Sequence, residues 1–212
     1  MNSHVSPIRI MLVDDHPLLR EGVASVVERQ NDMQLVAEAT DGEQAIAQFR
    51  ELQPDITLMD LQMPGVGGVE AIRTITGEFP HARIIVLTTY RGDVQALRAL
   101  KAGAMGYLLK SMLRKELLDT IRQVHAGRRS IPAEIANEIA THVADDALSM
   151  REVEVLGQVA GGRSNKMIAA HMGISEETVK THMKSILAKL DANDRTHAVT
   201  IALRRGILDV NV

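Results

Sequence analysis

The stretch DITLMDLQMPG, Asp55–Gly65, sets a run of strand-forming residues directly against a loop signal. Ile56, Leu58 and Met59 suit a buried strand and Pro64-Gly65 marks a turn, so Asp60 falls where the strand emerges. A lone carboxylate at the exit of an apolar strand calls for a chemical reason, and the flanking sequence supplies one.

Outward from Asp60, strand and helix patterns alternate through the first 127 residues. The strands read IRIMLVD (8–14), MQLVAEA (33–39), DITLMD (55–60), ARIIVLT (82–88) and MGYLL (105–109). Between and after them lie amphipathic helices over 16–30, 41–52, about 66–78, about 92–101 and about 113–126, the second entered at Thr40-Asp41 with Glu43 available for the cap. Apolar strands joined by helix-length crossovers predict a parallel sheet covered on both faces, and such sheets bind ligands beyond the carboxyl ends of their strands. Asp14 and Asp15 end the first strand, Asp60 the third, Thr88 the fourth and Lys110 the fifth, so all five groups converge on one rim.

Composition narrows the chemistry. At 212 residues and 45% hydrophobic content the chain can build two cores of ordinary size. It has no cysteine, which removes disulfides and thiolate metal sites and suits a reducing cytoplasm. Aromatic residues make up 2%, too few for single-strand recognition by base stacking. No signal-peptide pattern opens the chain and no apolar run approaches the ~20 residues of a membrane span, so a soluble protein with no membrane partner is expected. The net charge of −3 divides unevenly: residues 1–147 hold 15 Lys and Arg against 20 Asp and Glu, residues 148–212 hold 9 against 7. The C-terminal part is the more basic, a mild pointer to a polyanion.

Three carboxylates brought together cannot all ionise comfortably without a cation. An all-oxygen donor set favours a hard ion, and Mg²⁺ characteristically takes one or two carboxylates, waters and phosphate oxygens. Asp60 is then the candidate nucleophile toward a phosphoryl donor, Asp14 and Asp15 the candidate Mg²⁺ ligands, Lys110 the balancing ammonium and Thr88 a hydroxyl for a phosphoryl oxygen. His16 reads as a structural or solvent-facing residue at a helix entry.

The motifs LVDDH (12–16), LMDLQMPGVGG (58–68), VLTTY (86–90) and GYLLKS (106–111), in that order, resemble the receiver domain of two-component response regulators over residues 7–127. The resemblance implies a flavodoxin-like α/β fold with a five-stranded parallel sheet of order 2-1-3-4-5. It implies Asp60 as phosphoacceptor, Asp14, Asp15, Asp60 and the backbone carbonyl of Gln62 around Mg²⁺, Lys110 on the phosphate, and Thr88 and Tyr107 as paired switch residues.

Residues 128–147 read as a linker with one short helix, Pro132 suiting that helix's first position, and the segment also contains the acidic pair Asp145-Asp146. From Leu148 the chain divides into four helical stretches. Ser149 and Glu152 form a capping box, and SNKMIAAHM, a short turn at Gly173, then EETVKTHMKSILAKL with Ser175 as N-cap read as a helix-turn-helix. On its second helix Val179, Met183, Ile186 and Leu190 recur at inward spacing, which turns Lys180, Thr181 and Lys184 outward together, toward base edges and phosphates if the helix enters a major groove. Lys166 and Arg195 are candidate phosphate contacts, and His182 reads as packed. Residues 148–208 resemble the LuxR-type DNA-binding domain of NarL/FixJ-type regulators, with Met150 and Met167 as departures from its pattern. By that resemblance a last helix over about 193–204 offers a dimer contact through Val199, Ala202 and Leu203.

The expected organisation is a receiver over 1–127, a linker over 128–147 and a DNA-binding module over 148–212. The expected function is a transcriptional regulator, not an enzyme acting on an external substrate, phosphorylated on Asp60 by a sensor histidine kinase and binding double-stranded promoter DNA as a homodimer. Two rivals stand beside it. An aspartyl-phosphate phosphatase would share the nucleophile and Mg²⁺, but it needs a second Asp where this chain has Gln62, and it leaves the helix-turn-helix without a role. A receiver half serving only as an unphosphorylated dimerisation module would have no use for the intact Asp and Lys set.

Overall fold

In the computed structural model, residues 6–89, 93–142 and 148–208 are described. Three sequence readings fall outside them: the helix entry at Gly92, the Tyr90 of VLTTY and the acidic pair Asp145-Asp146. The chain divides into two compact units, one of residues 1–89 and 97–133, the other of residues 134–212 with the short segment 90–96.

Along residues 8–125 the chain alternates β1 (Ile8–Val13), α1 (Pro17–Glu28), β2 (Met33–Ala39), α2 (Gly42–Leu52), β3 (Ile56–Asp60), α3 (Gly68–Glu78), β4 (Ile84–Thr88), α4 (Asp93–Lys101), β5 (Gly106–Leu109) and α5 (Leu113–His125). The strands form one five-stranded sheet in the order β2-β1-β3-β4-β5, with every neighbouring pair parallel. The central strands β3 and β4 are buried at every position, which is why their sequences run apolar without alternation. Ile10, Leu12, Ile56, Leu58, Ile85 and Leu87 share a core with Val23, Val27, Leu117, Ile121 and Val124 from the covering helices. Each such aliphatic side chain contributes roughly 1.5–3 kcal/mol by leaving water.

Several element ends shift by one or two residues from the periodicity, and two of the shifts have a local reason. α3 opens at Gly68, two residues after Val66, because residues 61–67 form the loop that returns over the end of β3. Pro132 stands just before α6 (Ala133–His142), at its cap position, its fixed φ suiting either place. Within the expected linker, Ser130 pairs with the outer edge of β5: Tyr107 N–H donates to its carbonyl at 2.9 Å and its own N–H donates to the Met105 carbonyl at 3.0 Å. An edge strand's free backbone groups are thereby partly satisfied.

The second unit carries α7 (Met150–Ala160), α8 (Asn165–Met172), α9 (Glu176–Lys189) and α10 (Arg195–Arg205). Each helix begins on a side-chain cap, Ser149, Ser164, Ser175 and Asp194 respectively, and Ser149 with Glu152 closes the expected capping box. Gly173 ends α8 at φ 66°, a left-handed position glycine adopts without strain, and the chain turns directly into Ser175 and α9. Val155, Leu156, Ile168, Val179, Ile186, Ala198 and Ala202 form the fully buried centre of its core. Among the described residues no helix is long and apolar enough to cross a membrane.

Candidate functional site

Parallel strands deliver their carboxyl ends to one side of the sheet, and the rim residues arrive there for that reason. Asp60 is the last residue of β3, Thr88 the last of β4, Asp14 and Asp15 follow β1, and Lys110 opens a 3₁₀ turn directly after β5. Lys110 Nζ lies 2.6 Å from Asp60 Oδ2 and 2.7 Å from Asp14 Oδ2, so one ammonium bridges two carboxylates from different strands. Asp60 Oδ1 accepts from the Gln62 N–H at 3.1 Å, which turns that peptide unit toward the rim. Asp14 and Asp60 are buried, a costly state for acids unless charge is balanced nearby.

Burial pushes the Asp60 carboxyl above the ordinary aspartate range, against the opposing pull of Lys110. Burial alone would lower Lys110, but the hydrogen bonds and charges of Asp14 and Asp60 outweigh it and raise its pKa. The rim therefore keeps a firmly protonated ammonium beside a carboxylate that is easier to protonate than usual.

Asp14, Asp15, His16 and Asp60 each offer a ligand atom, all within 4.8 Å of one another. Asp14 Oδ2 and Asp15 Oδ1 are buried and accept no hydrogen bond of good geometry, although Lys110 Nζ stands 2.7 Å from the first and His16 Nδ1 2.8 Å from the second. Three acids whose oxygens cluster within 4.8 Å, two of those oxygens buried and poorly served by hydrogen bonds, fit a hard divalent cation.

Several contributors were not legible as site residues. His16, read as a helix-entry residue, is mainly solvent-exposed but also places Nδ1 3.0 Å from Asp14 Oδ1, and its N–H donates to the same oxygen at 2.9 Å. Arg20 Nη1 donates to the Asp14 carbonyl at 2.8 Å, holding the turn that carries both acids. Gly68 lets α3 close onto the end of β3: a Cβ there would meet the Asp60 carbonyl oxygen at 2.0 Å and Leu61 Cα at 2.8 Å. The VGG sequence was the only signal for it, and close backbone approach cannot be read from spacing. Thr88 and Tyr107 are both buried, Thr88 one residue beyond the β4 partner of Asp60 and Tyr107 opposite Val86 on β5.

On the second unit Val179, Met183, Ile186 and Leu190 are buried, as their spacing requires, and Lys180, Thr181 and Lys184 are exposed on the other side of α9. Lys166 and Arg195 are also exposed, and Arg195 Nη2 donates to the Arg163 carbonyl at 2.7 Å. His182 is half-buried. Met150 and Met167 are exposed, so those departures from the pattern lie on the surface. Ala202 requires a correction: it is 0% exposed inside the unit's own core, because on α10 it shares the inward face with Ala198 and Ile201, and it has no surface to offer a second copy. Val199 and Leu203 are partly buried at the edge of that core.

An acidic strand-end rim on a 2-1-3-4-5 sheet, joined in one chain to a capped helix-turn-helix, defines a receiver coupled to a DNA reader. Residues 10–122 match the family described as response regulator receiver domain, and residues 146–202 match bacterial regulatory proteins of the luxR family. The chain belongs to the response regulators that combine these two domains, a family of transcriptional regulators. It is 42% identical over 95% of its length to the uncharacterized transcriptional regulatory protein YxjL of Bacillus subtilis, of which the match covers 97%. It is 38% identical to the transcriptional regulatory protein LiaR of the same organism, over 95% of this chain and 100% of that one. Among solved structures it is similar to the response regulator ChrA of a heme-sensing two-component system, with 38% identity, a TM-score of 0.58 and coverage of 96% of this chain and 100% of that one. It also resembles RcsB of Salmonella enterica serovar Typhimurium bound to promoter DNA in the presence of the phosphomimetic BeF3−, with 26% identity, a TM-score of 0.72 and coverage of 92% and 98%.

Proposed function

We propose that this regulator is switched by a phosphoryl group on Asp60, received from a sensor histidine kinase, and that its phosphorylated form binds promoter DNA as a homodimer through α9. The observation that carries the reading is the Lys110 ammonium bridging Asp60 and Asp14 in a cluster to which Asp15 adds a further carboxylate. A carboxylate oxygen of Asp60 attacks phosphorus, the P–N bond of the donor phosphohistidine breaks as the O–P bond forms, and the imidazole leaves with the electron pair of that bond. Mg²⁺, held by Asp14, Asp15, Asp60 and the Gln62 carbonyl, would neutralise charge on the transferring oxygens. Lys110 exchanges part of its hold on carboxylates for a phosphoryl oxygen. Thr88 turns its hydroxyl toward another, and Tyr107 adjusts with it, which makes the ends of β4 and β5 the two-state element.

The domain assignment that goes with this reading is a receiver over 1–127, a connecting segment over 128–147 and a DNA-binding module over 148–212. Lys180, Thr181 and Lys184 reach base edges in the major groove, Lys166 and Arg195 contact phosphates, and the exposed parts of Val199 and Leu203 meet a second copy. Turnover of an external phosphate ester is not expected, since Gln62 supplies no acid two residues beyond the nucleophile. The cytoplasm, where kinase and promoter are both reachable, is the proposed location. Incubation with Mg²⁺ and a small acyl phosphate should add one phosphoryl group, and Asp60→Asn should remove that gain; labelling that persists in the variant would place the acceptor elsewhere.

A further inference from the structure

Outside the acidic rim, Glu152 is the buried carboxylate among the described residues. As the third residue of α7 it has an evident local task, since its Oε2 accepts the Ser149 N–H at 2.7 Å and Ser149 Oγ accepts the Glu152 N–H at 3.3 Å. Capping alone does not require burial: an exposed glutamate closes the same box without losing its hydration. Here both oxygens also reach another helix. Ser185 Oγ donates to Oε1 at 2.6 Å and Lys189 Nζ donates to Oε2 at 2.8 Å. Ser185 and Lys189 stand one turn apart on α9, in line with Thr181 one turn before Ser185 and beside the face that presents Lys180 and Lys184.

The apolar contacts of Val179, Met183 and Ile186 hold α9 down and decide which side faces inward, but non-directional hydrophobic attraction sets its roll and slide only coarsely. Charge-assisted hydrogen bonds are directional, and two of them one turn apart define both. Bidentate contact with a base edge tolerates only small errors in side-chain placement, on the order of 0.5 Å. We propose that Glu152 is a positioning residue for sequence readout, its carboxylate locking the roll of α9 through Ser185 and Lys189 so that Lys180, Thr181 and Lys184 face the bases in register. The inference rests on the reading of α9 as the groove-entering helix.

The test uses the full chain, phosphorylated, with a duplex selected from a random-sequence pool by the wild-type protein and a scrambled duplex of equal length. Lys189→Met is expected to lower the ratio of selected to scrambled affinity about tenfold or more, with scrambled-duplex affinity and salt dependence unchanged. Lys189→Arg is expected to restore the ratio, and Ser185→Ala to lower it less. Thermal unfolding establishes that each variant is folded, and Ser185→Ala decides the matter if Lys189→Met is not. An unchanged ratio in folded variants overturns the inference. So does an equal loss on both duplexes with the salt slope reduced by about one, which would make Lys189 a phosphate contact. Failure of the wild-type protein to prefer any duplex would instead overturn the groove reading, and this inference with it.

Discussion

Lys110 Nζ lies 2.6 Å from Asp60 Oδ2, a buried ion pair formed by residues that adjoin the ends of strands two places apart in the sheet. Its ammonium also touches Asp14, so removing it leaves two buried acids facing one another. Lys110→Ala is expected to lose about 3 kcal/mol of stability in chelator, the usual scale for a broken buried pair, and to recover part of it when Mg²⁺ is added. Denaturant unfolding with and without Mg²⁺ measures both, and phosphoryl incorporation should slow in the same variant.

Metal removal should be visible in the unmodified chain. A cation that binds only the folded rim stabilises it by about 2.7 kcal/mol at a hundredfold excess over its dissociation constant. Thermal unfolding should therefore shift upward with Mg²⁺ and return with chelator. Asp15→Asn, which removes one of the clustered carboxylates, should flatten that response.

Gly68→Ala tests the closure of α3 over Asp60. The added methyl would overlap backbone, not a side chain able to rotate away, so the loop or the helix must shift. The expected cost is about 1–3 kcal/mol, together with slower phosphorylation, read by denaturant unfolding and by intact mass after exposure to acyl phosphate.

Glu152 gives the second unit an acid limit. Desolvation alone would raise its pKa, but Lys189, Ser185 and Ser149 outweigh it and hold the group down at about 2, against an ordinary 4.5. A carboxylate with a depressed folded pKa contributes stability that is fully present above the unfolded value and disappears as pH falls toward the folded one. That contribution is about 3 kcal/mol above pH 4.5 and drains away between pH 4.5 and 2. The stability difference between wild type and Glu152→Gln should accordingly be largest near neutrality and shrink below pH 4.5, as followed by urea unfolding across that range.

The proposed reading face of α9 can be probed without harming the fold. Lys180 pairs with Glu177 at 3.1 Å in the open, an exposed helix pair of small worth. Lys180→Ala and Lys184→Ala should leave thermal unfolding almost unchanged while weakening binding to a selected duplex by about 1–3 kcal/mol each, measurable by fluorescence anisotropy of labelled DNA.

Periodicity and turn chemistry were enough to place Asp60, Thr88 and Lys110 at strand ends and Lys180, Thr181 and Lys184 away from Val179 and Met183, because both placements follow from local geometry. Strand order, on the other hand, came through family resemblance. Ala202 shows the limit of spacing: an alanine fits a helix's inner or outer face equally well, and only its neighbours decide. Glu152 was legible as a cap, since Ser149 lies three residues before it, but not as the partner of Ser185 and Lys189, 33 and 37 residues away.

What the amino-acid order determined here is which residues end each strand and begin each helix, because strand pleat, helix period and capping act over a few neighbouring residues. Which charges touch was decided by the assembled fold. The approach of Lys110 to Asp14 across 96 residues and the fit of Gly68 against the Asp60 carbonyl arise only when β1, β3, β5 and α3 pack together. Electrostatic pairing and steric contact depend on distance in space, and chain separation does not encode that distance.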